Sequence, residues 1–186
     1  MFSGIRKPKN TAVFISGSGS TLQALLEMQF QLNIRLVVSN KRQNLGQCKA
    51  KRFGLETYYF DKNKSYIDLS NFLKSKDIDQ IFLAGYMRLL PKDFVNLWEN
   101  KILNIHPSIL PDFPGLDASK KSFQAGHDLG VTIHIVTAEM DTGPVMLQMV
   151  AVSSKYVSQM SLTEAQFLLR RTEQHLLREF AFKRAI

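Results

Sequence analysis

Short apolar runs alternate with helically spaced segments along most of this chain, and that alternation confines it to few architectures. Thr11 to Ile15, Ile34 to Val38, Glu56 to Phe60, Gln80 to Ala84 and Ile102 to Ile105 each read as a short buried strand. Between them lie segments with helical spacing. Thr21 to Met28 places Leu22, Leu25 and Leu26 on one face, and Leu45 to Phe53 is closed by Gly54. Tyr66 to Leu73 is a further helix, and Pro91 to Trp98 carries proline in its first turn. Strand and helix in alternation give an α/β fold, an open, mostly parallel twisted sheet with helices on both faces. The pattern then changes. Val131 to Val136 and Val145 to Val152 are separated by eight residues, too few for a crossover helix, so an antiparallel hairpin is expected near the C-terminal end of the sheet. Leu162 to Phe182 reads as one long helix carrying Leu168, Leu169, Leu176 and Leu177. With no internal repeat and no low-complexity linker, residues 1–186 are expected to form a single domain.

Composition narrows the function classes. Cys48 is the one cysteine, which excludes an intramolecular disulfide and a cysteine-based zinc site and suits a reducing cytoplasm. No apolar run approaches the ~18 residues of a membrane span, and the first ten residues lack the apolar core of a signal peptide. The expectation is a cytoplasmic protein that does not engage a membrane. A formal charge of +8 fits nucleic acid or small anionic substrates. The basic residues are scattered, however, with no run interleaved with aromatics, so nucleic acid is not expected as a ligand.

Ser16-Gly17-Ser18-Gly19-Ser20-Thr21 lies between a buried strand and a helix. Consecutive backbone N–H groups at such a junction form a ready anion site, and Gly17 and Gly19 let the backbone turn sharply. Ser20 or Thr21 is a natural N-cap or a hydroxyl donor to phosphate. A dinucleotide fingerprint requires a third glycine, but Leu22 stands there, and Ser39-Asn40-Lys41 offers no acid after the second strand. The Gly-Lys-Ser/Thr of a P-loop is also absent. A single phosphate monoester is the ligand left, against the plainer alternative of a small-residue turn with an N-cap.

Asn104-Ile105-His106-Pro107 closes the fifth run. Side chains two apart on a strand share a face, so Asn104 and His106 project together, and Pro107 stops the strand. An amide donor beside an imidazole can stabilise an oxyanion and move a proton; a structural asparagine and a hydrogen-bonded histidine are the alternative. Asp141-Thr142-Gly143-Pro144 has turn composition, which by itself explains an aspartate. A functional Asp141 has to reach His106, where a carboxylate favours the imidazolium. His134, on a strand, reads as structural. No His, Cys and carboxylate cluster has ligand spacing, so no metal is expected.

The stretch Asn104-Ile105-His106-Pro107-Ser108-Ile109-Leu110-Pro111 resembles the signature segment of the folate-dependent formyltransferases, and within them the glycinamide ribonucleotide formyltransferases of purine synthesis. The resemblance covers roughly residues 11–152 and implies a Rossmann-like formyltransferase fold. It implies transfer of a formyl group from 10-formyltetrahydrofolate, as co-substrate, to the amine of glycinamide ribonucleotide in de novo purine biosynthesis. By the same resemblance Asn104, His106 and Asp141 are the catalytic residues, and Gly17, Gly19, Ser20 and Thr21 hold the substrate phosphate. Met87, Arg88, Leu89 and Leu90, with Asn104, bind the folate. Lys62, Lys64, Glu173 and Gln174 stand at positions of possible substrate contact. The protein is expected as a monomer or homodimer working on small molecules.

The chain departs from that family at several points. Thr21 stands where asparagine is usual, Asp117 where histidine is usual, and Gln174 where an acid precedes His175. The loop at 60–66 and the carboxyl end are short. A divergent formyltransferase with another amine acceptor, such as an amino-sugar nucleotide, and an inactive folate- or nucleotide-binding module are the alternatives. A formyltetrahydrofolate hydrolase normally carries an extra amino-terminal domain, and a methionyl-tRNA formyltransferase an extra carboxyl-terminal one.

Overall fold

A computed structural model of the chain describes residues 8–185. The apolar runs become strands β1 (Thr11–Ile15), β2 (Ile34–Ser39), β3 (Glu56–Tyr59), β4 (Gln80–Leu83) and β5 (Ile102–His106). These pair in parallel, and β6 (Leu129–Ile135) and β7 (Val145–Val152) add an antiparallel end to the sheet. The seven strands lie in the order β3-β2-β1-β4-β5-β6-β7. The expected hairpin is present, and β6 also runs antiparallel to β5.

Two helices, α1 (Ser20–Leu26) and α2 (Gln29–Leu32), connect β1 to β2. The following crossovers are α3 (Leu45–Arg52), α4 (Tyr66–Ser75) and α5 (Lys92–Leu97). Then come α6 (Ala118–Gln124) between β5 and β6, a short α7 (Ser154–Val157), and the long α8 (Leu162–Ala185). The period-two alternation of β1 divides the core. Val13 and Ile15 face one cluster with Leu22, Leu25, Leu26, Leu176 and Leu177. Ala12 and Phe14 face the other, with Leu69, Leu73, Phe94 and Trp98. Helices therefore cover both faces, as a parallel sheet requires.

Some details depart from the sequence expectation. The helix expected over Thr21 to Met28 begins at Ser20, stops at Leu26 and restarts as α2. Its N-cap is Gly19, in the left-handed region at φ 69° and without a side-chain cap bond, so neither Ser20 nor Thr21 caps it. Strand β6 begins two residues earlier than Val131, at Leu129. Gly130 permits this extension, because a Cβ there would lie 2.1 Å from Ile109 Cδ1.

Strand register sets the functional edge. Phe14 lies beside Leu83, and Leu83 beside Asn104. The glycine loop, the segment after β4 and the Asn-x-His end of β5 thus emerge side by side at the carboxyl edge of the parallel strands. That edge is where open α/β sheets bind ligands.

Candidate active site

Antiparallel pairing of β5 with β6 sets Asn104 opposite His134 and His106 opposite Thr132. Directly opposed residues share a face, so two polar pairs form one patch. Asn104 is half-buried in an otherwise buried strand. Asp141 reaches this patch from the turn after β6, where its backbone is left-handed at φ 54°. Asp141 Oδ2 accepts the Gly115 N–H at 2.8 Å and lies 3.3 Å from His106 Nδ1. Its Oδ1 lies 3.4 Å from His134 Nε2. The structure therefore brings Asp141 to His106, the approach that a working trio needs.

Each nitrogen of His106 faces an oxygen. Nε2 is 3.0 Å from the Phe113 carbonyl, while Nδ1 faces the carboxylate. A ring carrying hydrogen on both nitrogens satisfies both neighbours. Burial pushes the Asp141 carboxyl up. The Gly115 N–H and the His134 and His106 rings beside the carboxylate outweigh that and hold it below the usual aspartate value.

The glycine loop is braced from three sides. Gly19 packs against Gly46, with a Cβ on Gly19 coming 2.9 Å from Gly46 Cα. Asn44 caps α3 by accepting the Gln47 N–H, and Lys49 Nζ donates to the Gly19 carbonyl at 3.1 Å. Ser16 Oγ accepts the Met87 N–H at 2.8 Å, tying this loop to the segment after β4. Gly17, Ser18 and Ser20 are exposed, and Thr21 is buried. The Thr21 hydroxyl donates to Glu173 Oε1 at 2.6 Å, so it faces α8, away from a free-donor role. Gln174, one step further along α8, is exposed.

Burial raises the Glu173 carboxyl above its ordinary 4.5, against the lowering effects of Thr21 and Arg170. The stability from a carboxyl raised in this way is present below that ordinary value and is lost as pH rises through the folded value. Glu173→Gln keeps the oxygen that Thr21 bonds but cannot ionise. Thermal melting is expected to show E173Q about 1–3 °C above the parent at pH 8 and level with it near pH 4. An equal difference at both pH values refutes the assignment.

Along the segment after β4, Met87 and Leu89 are exposed, Leu90 packs against the core, and the Arg88 guanidinium sits 5.7 Å over the Phe60 ring. Lys64 Nζ donates to Tyr58 Oη at 3.1 Å, while Lys62 is exposed. Asp117 flanks α6 in the left-handed region at φ 57° and makes no side-chain cap bond. Among the described residues, no group of three or more His, Cys, Asp or Glu side chains is arranged to hold a metal ion.

Sequence reasoning set aside His134, which contacts both Asn104 and Asp141. Its signal was present: Thr132-x-His134 repeats the alternation of Asn104-x-His106 on the run predicted nearby. It also missed Ser16, Lys49, the Phe113 carbonyl and the Gly115 N–H. The last two are backbone groups that no residue identity announces.

Residues 9–165 match the family described as formyl transferase. The human trifunctional purine biosynthetic protein adenosine-3 is 41% identical over 160 residues, a stretch covering 79% of this chain. The chain spans 16% of that relative's length. The phosphoribosylglycinamide formyltransferase of Escherichia coli strain K12 is 37% identical over 150 residues, covering 75% of this chain and 71% of that protein. The crystal structure of phosphoribosylglycinamide formyltransferase from Anaplasma phagocytophilum superimposes with a TM-score of 0.84 at 31% identity, covering 95% of this chain and 88% of that one.

Proposed function

The chain belongs to the formyl transferase family, and from that premise we propose that it moves the formyl group of 10-formyltetrahydrofolate to the primary amine of glycinamide ribonucleotide, in purine biosynthesis. One observation carries the reading: a half-exposed amide, a buried imidazole and a half-buried carboxylate meet where the parallel strands end. The amine lone pair attacks the formyl carbon, so no nucleophile from the protein is needed. Asn104 Nδ2–H donates to the oxyanion of the tetrahedral intermediate. His106 joins by turning its Nε2–H from the Phe113 carbonyl toward it, while Asp141 holds Nδ1 and balances the imidazolium charge. As the tetrahedral carbon collapses, its bond to the folate nitrogen breaks, and the proton lost by the amine ends on that nitrogen.

Gly17, Gly19 and Ser20 are assigned to the substrate phosphate. The Met87–Leu90 segment, with the Met87 and Leu89 side chains exposed, is assigned to the pterin. The protein works in the cytoplasm on small molecules, as a monomer or homodimer, without nucleic acid. A second reading keeps the chemistry and changes the amine, to an amino-sugar nucleotide for example. It is favoured by the occupied Thr21 hydroxyl and the exposed Gln174.

The test is folate absorbance with purified protein and 10-formyltetrahydrofolate. Product is expected only when glycinamide ribonucleotide is present. Turnover only with an amino-sugar nucleotide moves the assignment to the second reading. Turnover without any amine indicates a hydrolase, and no turnover with any amine removes the catalytic reading.

A further inference from the structure

We propose that His134 is a positioning residue of this site: it accepts a hydrogen bond from Asn104 and so fixes which end of the Asn104 amide faces the substrate. The other ring nitrogen sets the tautomer. His134 Nδ1 lies 3.0 Å from the Ile135 carbonyl. A carbonyl oxygen only accepts, so Nδ1 carries the hydrogen, and in the neutral ring Nε2 is left with a lone pair. Asn104 Nδ2 stands 3.2 Å from that lone pair.

The consequence falls on Asn104. The two ends of an asparagine amide have nearly the same shape, and the terminal torsion that exchanges them is soft. Packing alone selects poorly between them. A lone pair at Nε2 does select, because the reversed amide sets oxygen against it. One amide hydrogen is thereby committed to His134, and the second is kept as a donor for the ligand side. The ring is a firm anchor: its side chain is 1% exposed, and its position opposite Asn104 is fixed by the β5–β6 register.

The competing arrangement is explicit. Asp141 Oδ1 lies 3.4 Å from the same Nε2 and prefers a hydrogen there. A ring protonated at Nε2 turns the Asn104 oxygen toward itself and exchanges donor for acceptor in the site. The carboxylate also has partners apart from His134: its Oδ2 accepts the Gly115 N–H and faces His106 Nδ1.

The role of the amide rests on the formyl-transfer reading; the tautomer does not. Nitrogen-15 NMR of histidine-labelled wild-type protein at neutral pH is expected to show His134 with hydrogen on Nδ1 and none on Nε2. A hydrogen on Nε2 overturns the proposal. The kinetic arm is a cycle with Asn104→Ala, using glycinamide ribonucleotide and formylfolate. His134→Leu is expected to lower kcat about 100-fold at nearly constant KM. His134→Gln, whose Oε1 can take the place of the acceptor, is expected to stay within about tenfold of the parent. In the Asn104→Ala background, His134→Leu is expected to cost less than about threefold, because the group it positions is gone. Additive losses in variants that melt cooperatively overturn the proposal. Wild-type protein inactive on glycinamide ribonucleotide defeats the substrate reading instead, and leaves the NMR result to decide the tautomer.

Discussion

Asn104→Ala is expected to lower kcat for formyl transfer by about 100–1,000-fold, with KM for both substrates within a few-fold of the parent. The amide donates most strongly to an oxyanion, which exists only after the amine has attacked, so its loss falls on turnover and spares ground-state binding. Asn104→Asp separates the donor from the shape. It keeps the outline of the side chain but removes both N–H groups and adds a charge that repels the oxyanion, so it is expected to be at least as damaging. The loss also leaves His134 Nε2 without its hydrogen bond. A buried acceptor left unsatisfied costs about 1–2 kcal/mol, or roughly 3–6 °C in Tm for a chain of this size. Steady-state kinetics beside a melting curve checks both. Near-parental kcat in folded Asn104→Ala protein removes the oxyanion role.

Much of this architecture was legible because it rests on local chemistry. The two buried faces of β1 and the leucine stripe of α1 follow from side-chain period, and the boundaries of β7 coincide with its apolar run. Helix α6 was not legible. Its sequence, Ala-Ser-Lys-Lys-Ser-Phe-Gln, buries only Ala118 and Ser122 and shows no apolar stripe. The interruption between α1 and α2 was equally hidden, since Glu27 and Met28 are good helix formers, and the break comes where the Met28 N–H turns to the Leu25 carbonyl three residues back. In the site, Asn104 and His106 were visible as neighbours because strand geometry places residues i and i+2 together. The meeting of Asp141 with His106 depends on the path of the turn after β6 and on the pairing of β6 with β5. Neither is written in local pattern. The Thr21–Glu173 bond joins residues 152 positions apart and is a product of the tertiary fold.

Gly143→Ala is expected to destabilise the protein by about 3 kcal/mol or more and to reduce formyl transfer more than about 100-fold, although the residue carries no side chain into the site. A Cβ at Gly143 would lie 1.9 Å from the Ile135 carbonyl oxygen and 2.9 Å from its carbon. Both are backbone atoms of β6 and cannot move aside as a flexible side chain would. Relief requires the turn to lift, and that turn carries Asp141 two residues earlier. It also disturbs the Ile135 peptide, whose carbonyl lies against His134 Nδ1 and whose N–H donates to the Pro144 carbonyl at 2.9 Å. One methyl group thus loosens the carboxylate that faces His106 and the carbonyl that orients His134. Gly126→Ala is the control. Gly126 is left-handed at φ 68° with nothing within 4 Å of an added Cβ, so only the backbone cost of about 1 kcal/mol is expected, with turnover unchanged. Chemical denaturation and kinetics of the two variants side by side test this. Gly143→Ala protein as stable and as active as Gly126→Ala would show that the turn has room, and that the approach of Asp141 to His106 does not depend on it.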